Sequence, residues 1–210
     1  CALLPKDHVI FGTNGPDSHL FGLEPNFGCC TANFNQGWPK FALATFLRSE
    51  KGIVSAALAP ASVHTVIDGH AVTCTLETEY PFRNTLRYRI VTDGPVSFEL
   101  KLRIPGCAKS ATVNGTVAQP GTFFVMDQVW SGATEIVVVL EFACETVARP
   151  RKMQVLWRGP LLYSVAIDER WEKLEYTRDG VERKFPYCDY EIYPQSPWNY
   201  GFTSDTHFAV

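Results

Sequence analysis

From residue 53 onward, apolar and polar residues alternate with a period of two. Residues 85–90 (Thr-Leu-Arg-Tyr-Arg-Ile) and 97–104 (Ser-Phe-Glu-Leu-Lys-Leu-Arg-Ile) each set apolar side chains against polar or charged ones. That alternation belongs to an antiparallel sheet with one buried and one wet face. Strands are predicted over 53–58, 62–67, 71–78, 85–92, 96–104, 123–127 and 135–142. Asp68-Gly69, Asp93-Gly94 and Asn114-Gly115 predict hairpin turns between them. About eight short strands at this spacing predict a β-sandwich.

Before residue 53 the pattern differs. Residues 1–28 are punctuated by Pro5, Gly12, Asn14-Gly15-Pro16 and Pro25 too closely for a long element, and their apolar residues Phe11, Leu20, Phe21, Leu23 and Phe27 predict a packed loop. From Thr31 a helix is predicted, capped by Thr31 or Asn33 and ended by Lys51-Gly52. Trp38, Phe41, Ala42, Thr45 and Phe46 fall on one face of it, with Pro39 at a kink or a second start. After Ala148-Arg149-Pro150-Arg151, a seam, two further strands are predicted at 155–157 and 161–167, then a charged surface segment over 171–182 and an aromatic, proline-rich tail. The fold class is mainly β. The predicted domains are 1–50, 51–148 and 149–210, the last a partial second β domain.

Composition narrows the function. The 210 residues carry a net charge of −3 and no Lys/Arg-rich run, which argues against a nucleic-acid partner. No apolar run approaches the ~18 residues of a membrane span. The chain begins at Cys1, without a methionine, and is expected to be the C-terminal part of a longer protein. Seven cysteines, an odd number, include Cys1, Cys74, Cys107, Cys144 and Cys188 as scattered singles. These are expected to be core thiols, with room for one disulfide that spacing cannot assign. The Asn114-Gly115-Thr116 sequon adds a small weight toward secretion.

The remaining chemistry lies in Gly28-Cys29-Cys30-Thr31. Two buried thiols are one reading, because free cysteine packs as a small hydrophobe. A vicinal disulfide, with its strained ring, is a second. A metal-bound or catalytic thiolate is the third. Gly28 allows close backbone approach, a following helix start would stabilise a thiolate, and adjacent thiolates can share a soft ion. Cys1, Asp17, His19 and Glu24 are further conceivable ligands, against the simpler reading of solvated loop residues. Trp130, Trp157, Trp171 and Trp198 could stack on sugar rings, although most sandwich tryptophans are core or seam residues.

Cys29-Cys30-Thr31-Ala32-Asn33 resembles the Cys-Cys-Pro-Pro-Asn motif of the β-L-arabinofuranosidase family, glycoside hydrolase family 127. Glu24-Pro25-Asn26, Gln36-Gly37-Trp38-Pro39-Lys40, Arg158-Gly159-Pro160-Leu161-Leu162-Tyr163 and Ser196-Pro197-Trp198-Asn199-Tyr200 are similar to other stretches of these proteins. The resemblance implies an (α/α)6 catalytic barrel followed by β-sandwiches, with residues 1–50 as the barrel's final loop and helix. It implies a carbohydrate substrate and a zinc ion (Zn2+) held by one glutamate and three cysteines. Carried over by position, Cys29 would be nucleophile and ligand, and Cys30 a ligand. The other ligands and the general acid would precede Cys1, so the chain alone is expected to be inactive. Thr31-Ala32 departs from Pro-Pro. The second functional reading is a non-catalytic β-sandwich, carbohydrate-binding or structural, with the cysteines as packing or vestigial ligands.

Overall fold

A computed structural model describes residues 21–22, 32–203 and 206–208. Its elements are β1 (Phe21–Gly22), α1 (Gly37–Leu43), β2 (Phe46–Ser49), β3 (Gly52–Ser55), β4 (Ala61–Ile67), β5 (His70–Thr78), β6 (Thr85–Arg103), β7 (Ser110–Val113), β8 (Thr116–Ala118) and β9 (Phe123–Glu141). These are followed by β10 (Cys144–Ala148), β11 (Gln154–Arg158), β12 (Leu161–Tyr163), β13 (Glu169–Leu174), β14 (Tyr176–Arg178), β15 (Val181–Arg183) and β16 (Asp189–Pro194). Two compact units divide the chain, one over Asn35–Tyr163, the other including Ser164–Thr206.

The first unit is organised by β6 and β9, each 19 residues long and paired antiparallel along most of their length. The first half of β6 pairs with β5, which pairs with β4, and the second half pairs with β3, which pairs with β2. Leu86, Tyr88 and Ile90 from the first half share one core with Phe98, Leu100 and Leu102 from the second. The ribbon therefore folds over itself into two packed layers, a sandwich whose layers share their longest strands. A register shift between Thr92 and Val96 makes the bend. Asp93-Gly94 lies in it, so this pair is part of a bulge and not the predicted hairpin. Inward positions stay in phase across the bulge, from Ile90 and Thr92 to Val96 and Phe98, so the Asp-Gly pair alone suggests a turn where the strand only bends. The β3–β6 pairing is parallel, because the chain between them crosses to the other layer and back.

The other two predicted hairpins are present. Asp68-Gly69 joins β4 to β5 and Asn114-Gly115 joins β7 to β8, with positive φ at both residues of each turn. The predicted helix is shorter than expected: α1 ends at Leu43. The Thr45 hydroxyl donates to the Ala42 carbonyl at 2.7 Å, closing the last turn, and Phe46 instead opens a strand paired with Ser55. No residue of α1 is buried, so its Trp38–Phe41 face packs on nothing that shields it among the described residues. None of the described helix has the length of a barrel helix.

A smaller sheet, β10-β11-β12, completes this unit. In the other unit, β16 lies between β1 and β13, and β14-β15 form a separate hairpin. The segment predicted as charged surface over 171–182 is thus mostly strand. Asp179-Gly180 supplies its turn, again with positive φ at both residues, and Arg178 faces Val181.

Candidate functional site

Cys29 and Cys30 lie outside the described residues, as do Cys1, Asp17, His19 and Glu24. Downstream of the pair, residues 32–34 are helical and Thr31 lies outside the described residues; after a turn at 35–36, α1 takes Gln36 as its own N-cap residue, with no side-chain capping hydrogen bond. Lys40 Nζ donates to Gln36 Oε1 at 3.0 Å across the first turn. Trp38, 71% exposed, meets Phe41 edge-on with ring centroids 6.3 Å apart.

Cys74, Cys107, Cys144 and Cys188 are all free thiols. Cys74 and Cys188 are buried, in keeping with core thiols, whereas Cys107 is exposed. Burial pushes the Cys74 thiol up to about 12, which makes it inert at neutral pH. Among the described residues no group of three or more His, Cys, Asp or Glu side chains gathers as a metal site. No helix there is long and apolar enough to cross a membrane.

A cleft of about 640 Å³ opens at the edge of the sandwich between β4 in one layer and β2-β3 in the other. Phe46, Val63, Ile67 and Phe98 form its apolar wall, and Arg48, Lys51, Glu99 and Asp127 are among its charged residues. Glu99 is held by strand geometry: its amide donates to the Lys51 carbonyl at 2.9 Å, and its side chain is only 12% exposed. Lys101 Nζ lies 3.0 Å from Oε2 and Lys51 Nζ 3.4 Å from Oε1. The Lys101 contact, the closer of the two, is an ion pair. The two ammonium groups, Lys101 foremost, hold the Glu99 carboxyl below its ordinary range. It is therefore a fixed anion and hydrogen-bond acceptor, not a proton donor at neutral pH. On sequence Glu99 is one carboxylate of a solvated sheet face. Alternation places it on the outward side of β6 but does not show that β2 and β3 fold over it.

The tryptophans separate by environment. Trp130 is 1% exposed, stacks on Phe98 at 5.3 Å and donates its indole N–H to the Phe98 carbonyl at 2.9 Å. It is a core residue. Trp171 donates to Glu169 and packs edge-on to Tyr190, and Trp198 is exposed. Trp157 is half-buried on β11.

Residues 53–142 match the family model described as "Beta-L-arabinofuranosidase, GH127 middle domain". Among curated proteins none matches the chain. Among solved structures, the chain is similar to a GH127 β-L-arabinofuranosidase from Geobacillus stearothermophilus T6, with 19% identity and a TM-score of 0.56 over 86% of this chain and 33% of that one. It is also similar to a glycoside hydrolase, with 18% identity and a TM-score of 0.55 over 80% of this chain and 37% of that one. A third, a GH127 β-arabinofuranosidase, has 14% identity and a TM-score of 0.54 over 85% and 38%. The chain thus spans about a third of the length of the structures it matches. The strand-rich fold and the family match are consistent with each other: the chain is GH127-like, and its residues 53–142 match that family's middle-domain model.

Proposed function

We propose that this chain is the C-terminal part of a retaining glycoside hydrolase acting on L-arabinofuranosides or related glycans, with Cys29 as nucleophile and Cys30 beside it as a metal ligand. The observation that carries the reading is the GH127 middle-domain match over 53–142; the double cysteine precedes that range in sequence and supports the reading by its resemblance to the family motif. Two adjacent thiolate donors suit zinc, a borderline-soft ion that prefers sulfur and nitrogen ligands. They are half of a tetrahedral set, and the described residues contain no further cluster to complete it.

When bound, zinc would keep the thiols deprotonated near neutral pH. The Cys29 sulfur attacks the anomeric carbon, the glycosidic oxygen leaves with a proton from a carboxylic acid, and water displaces the sulfur to release the sugar. Two inversions give net retention, as in carboxylate double displacement, with sulfur in the nucleophile's place. Glu99 does not serve as the acid: its two lysines keep it ionised.

The test uses the complete protein with p-nitrophenyl β-L-arabinofuranoside. About one zinc per chain is expected, and Cys29→Ser should abolish release while the fold is kept. No zinc in the complete protein, together with hydrolysis unaffected by Cys29→Ser, would sink the reading. So would turnover by the 210 residues alone, because the proton donor is assigned to a part of the enzyme outside them.

A further inference from the structure

We propose that the unit over Asn35–Tyr163 carries a neutral-saccharide site built on Trp157, between β10-β11 and the loop that precedes β7. It needs neither zinc nor Cys29 and goes beyond the catalytic reading. Glu145 and Trp157 are directly opposed across the antiparallel β10–β11 pair, as are Val147 and Val155. Directly opposed residues project to the same side of a sheet, so an acceptor carboxylate flanks the indole. Arg149 and Lys109 line the same cleft, adding donors, and Cys107 and Ala108 form part of the facing wall. The cleft holds about 570 Å³, within the range of small-ligand sites.

Its floor is fixed by a glycine. Gly159 follows β11 with φ +55, and a Cβ there would meet the Phe142 ring at 2.4 Å. Phe142 also lies under the Arg158 guanidinium, 5.6 Å from ring centroid to Cζ, and Arg158 donates to Asn84 at 2.8 Å. The strand bearing Trp157 is therefore anchored on both sides of that residue.

The contrast with Trp130 carries the argument about ligand class. Trp130 is covered and its N–H is bonded, as expected of a packing residue. Trp157 is outside the buried core, and Glu145, Arg149 and Lys109 around it are exposed. An apolar aromatic face rimmed by one carboxylate and two cations suits a molecule with a C–H face and a hydroxyl edge. A sugar ring has both: its C–H groups lie on the indole, and its hydroxyls donate to Glu145 and accept from Arg149 and Lys109. A ligand of pure charge would leave the indole unused, and an apolar one would make no use of the three charged groups.

The test is an NMR titration of the ¹⁵N-labelled 210-residue chain with α-1,5-arabinotriose and xylotriose, and with trigalacturonate as an acidic control. The Trp157 indole signal is identified by its loss in Trp157→Phe. With at least one neutral sugar, that signal and the Glu145 and Arg149 amides should move saturably, with Kd of about 0.1–10 mM. Trp157→Ala should weaken binding at least about tenfold, Trp157→Phe by less than about threefold, and Glu145→Ala by about fivefold. Glu145 is exposed, so that variant tests the site even if Trp157→Ala unfolds. Silence with both neutral sugars would overturn the proposal, as would a response to trigalacturonate alone or binding that Glu145→Ala leaves unchanged.

Discussion

The hydrogen bond between Ser55 and Tyr88 offers the most direct test of how the sandwich is closed. Ser55 ends β3 in one layer and Tyr88 lies in the β6 half that belongs to the other. Their hydroxyl oxygens are 2.8 Å apart, with Ser55 0% and Tyr88 2% exposed. Ser55→Ala leaves a phenol hydroxyl buried without this partner, and Tyr88→Phe does the same to the serine. Each single change should cost about 1–3 kcal/mol, the desolvation cost of an orphaned polar group. The double variant removes both groups, so it should cost no more than the worse single, with a coupling of about 1–2 kcal/mol. Because the chain has two compact units, one global unfolding midpoint would mix them. The appropriate readout is hydrogen-exchange protection of the β6 amides over residues 86–90, which reports opening of the sandwich itself. If the two single changes simply add, or if either shifts protection by less than about 0.3 kcal/mol, the two layers are not joined as described.

Two further outcomes follow from buried titratable groups. Burial raises the Cys74 thiol from an ordinary 9.0 to about 12; its contribution is whole below pH 9 and is lost as pH rises toward 12, because only the unfolded chain gives up the proton. Stability should fall by about 1.4 kcal/mol per pH unit in that window, so between pH 8.5 and 10.5 the parent should lose about 2 kcal/mol more than Cys74→Ala; equal losses in urea titrations would show that the thiol ionises freely. In the other unit, Arg183 and Asp189 form a nearly covered ion pair at 3.2 Å, and the Tyr176 hydroxyl donates to the same carboxylate oxygen. Asp189→Asn removes the compensating charge and should cost about 3–5 kcal/mol, with Arg183→Met/Asp189→Leu recovering most of it; loss of β16 amide protection in the single variant, reversed in the double, is the check, and a change under about 0.5 kcal/mol would refute it.

The sandwich was largely legible because its evidence is local. Each even-numbered residue from Leu86 to Ile90 and from Phe98 to Ile104 is apolar, or a tyrosine with a buried partner, and each is buried. Asp68-Gly69 and Asn114-Gly115 demand positive φ wherever they occur between strands, and both have it. Asp179-Gly180 carried the same signal and was masked by the charged residues around it. The α1 region failed for the opposite reason. Trp38, Phe41 and Phe46 fit a helical face by spacing, but spacing cannot weigh a helix against a strand partner at Ser55, several residues away across a turn.

Sites are harder to read than folds, because their parts are brought together by closure and not by period. Trp130 and Trp157 look alike in sequence, each in an apolar strand. β6 and β9 bury the first from both layers, while β10 and β11 leave the second half open beside three charged groups. Glu99 and Glu77 occupy equivalent outward positions on alternating strands, yet only Glu99 lies in the cleft beneath β2 and β3, with Lys51 reaching it from the turn between those strands. The double cysteine stands at the limit of the same rule. Adjacent thiols admit a metal-bound reading beside the packing one, but a tetrahedral ion needs two more ligands, and these must be delivered by a fold. The strand pattern that specifies the sandwich carries no information about them. In the proposed reading the pair would contribute the reacting sulfur and one neighbouring ligand. The proton donor that completes a glycosidase is a separate requirement, and the described carboxylate with the strongest claim to a cleft, Glu99, is disqualified by the two lysines that hold it ionised.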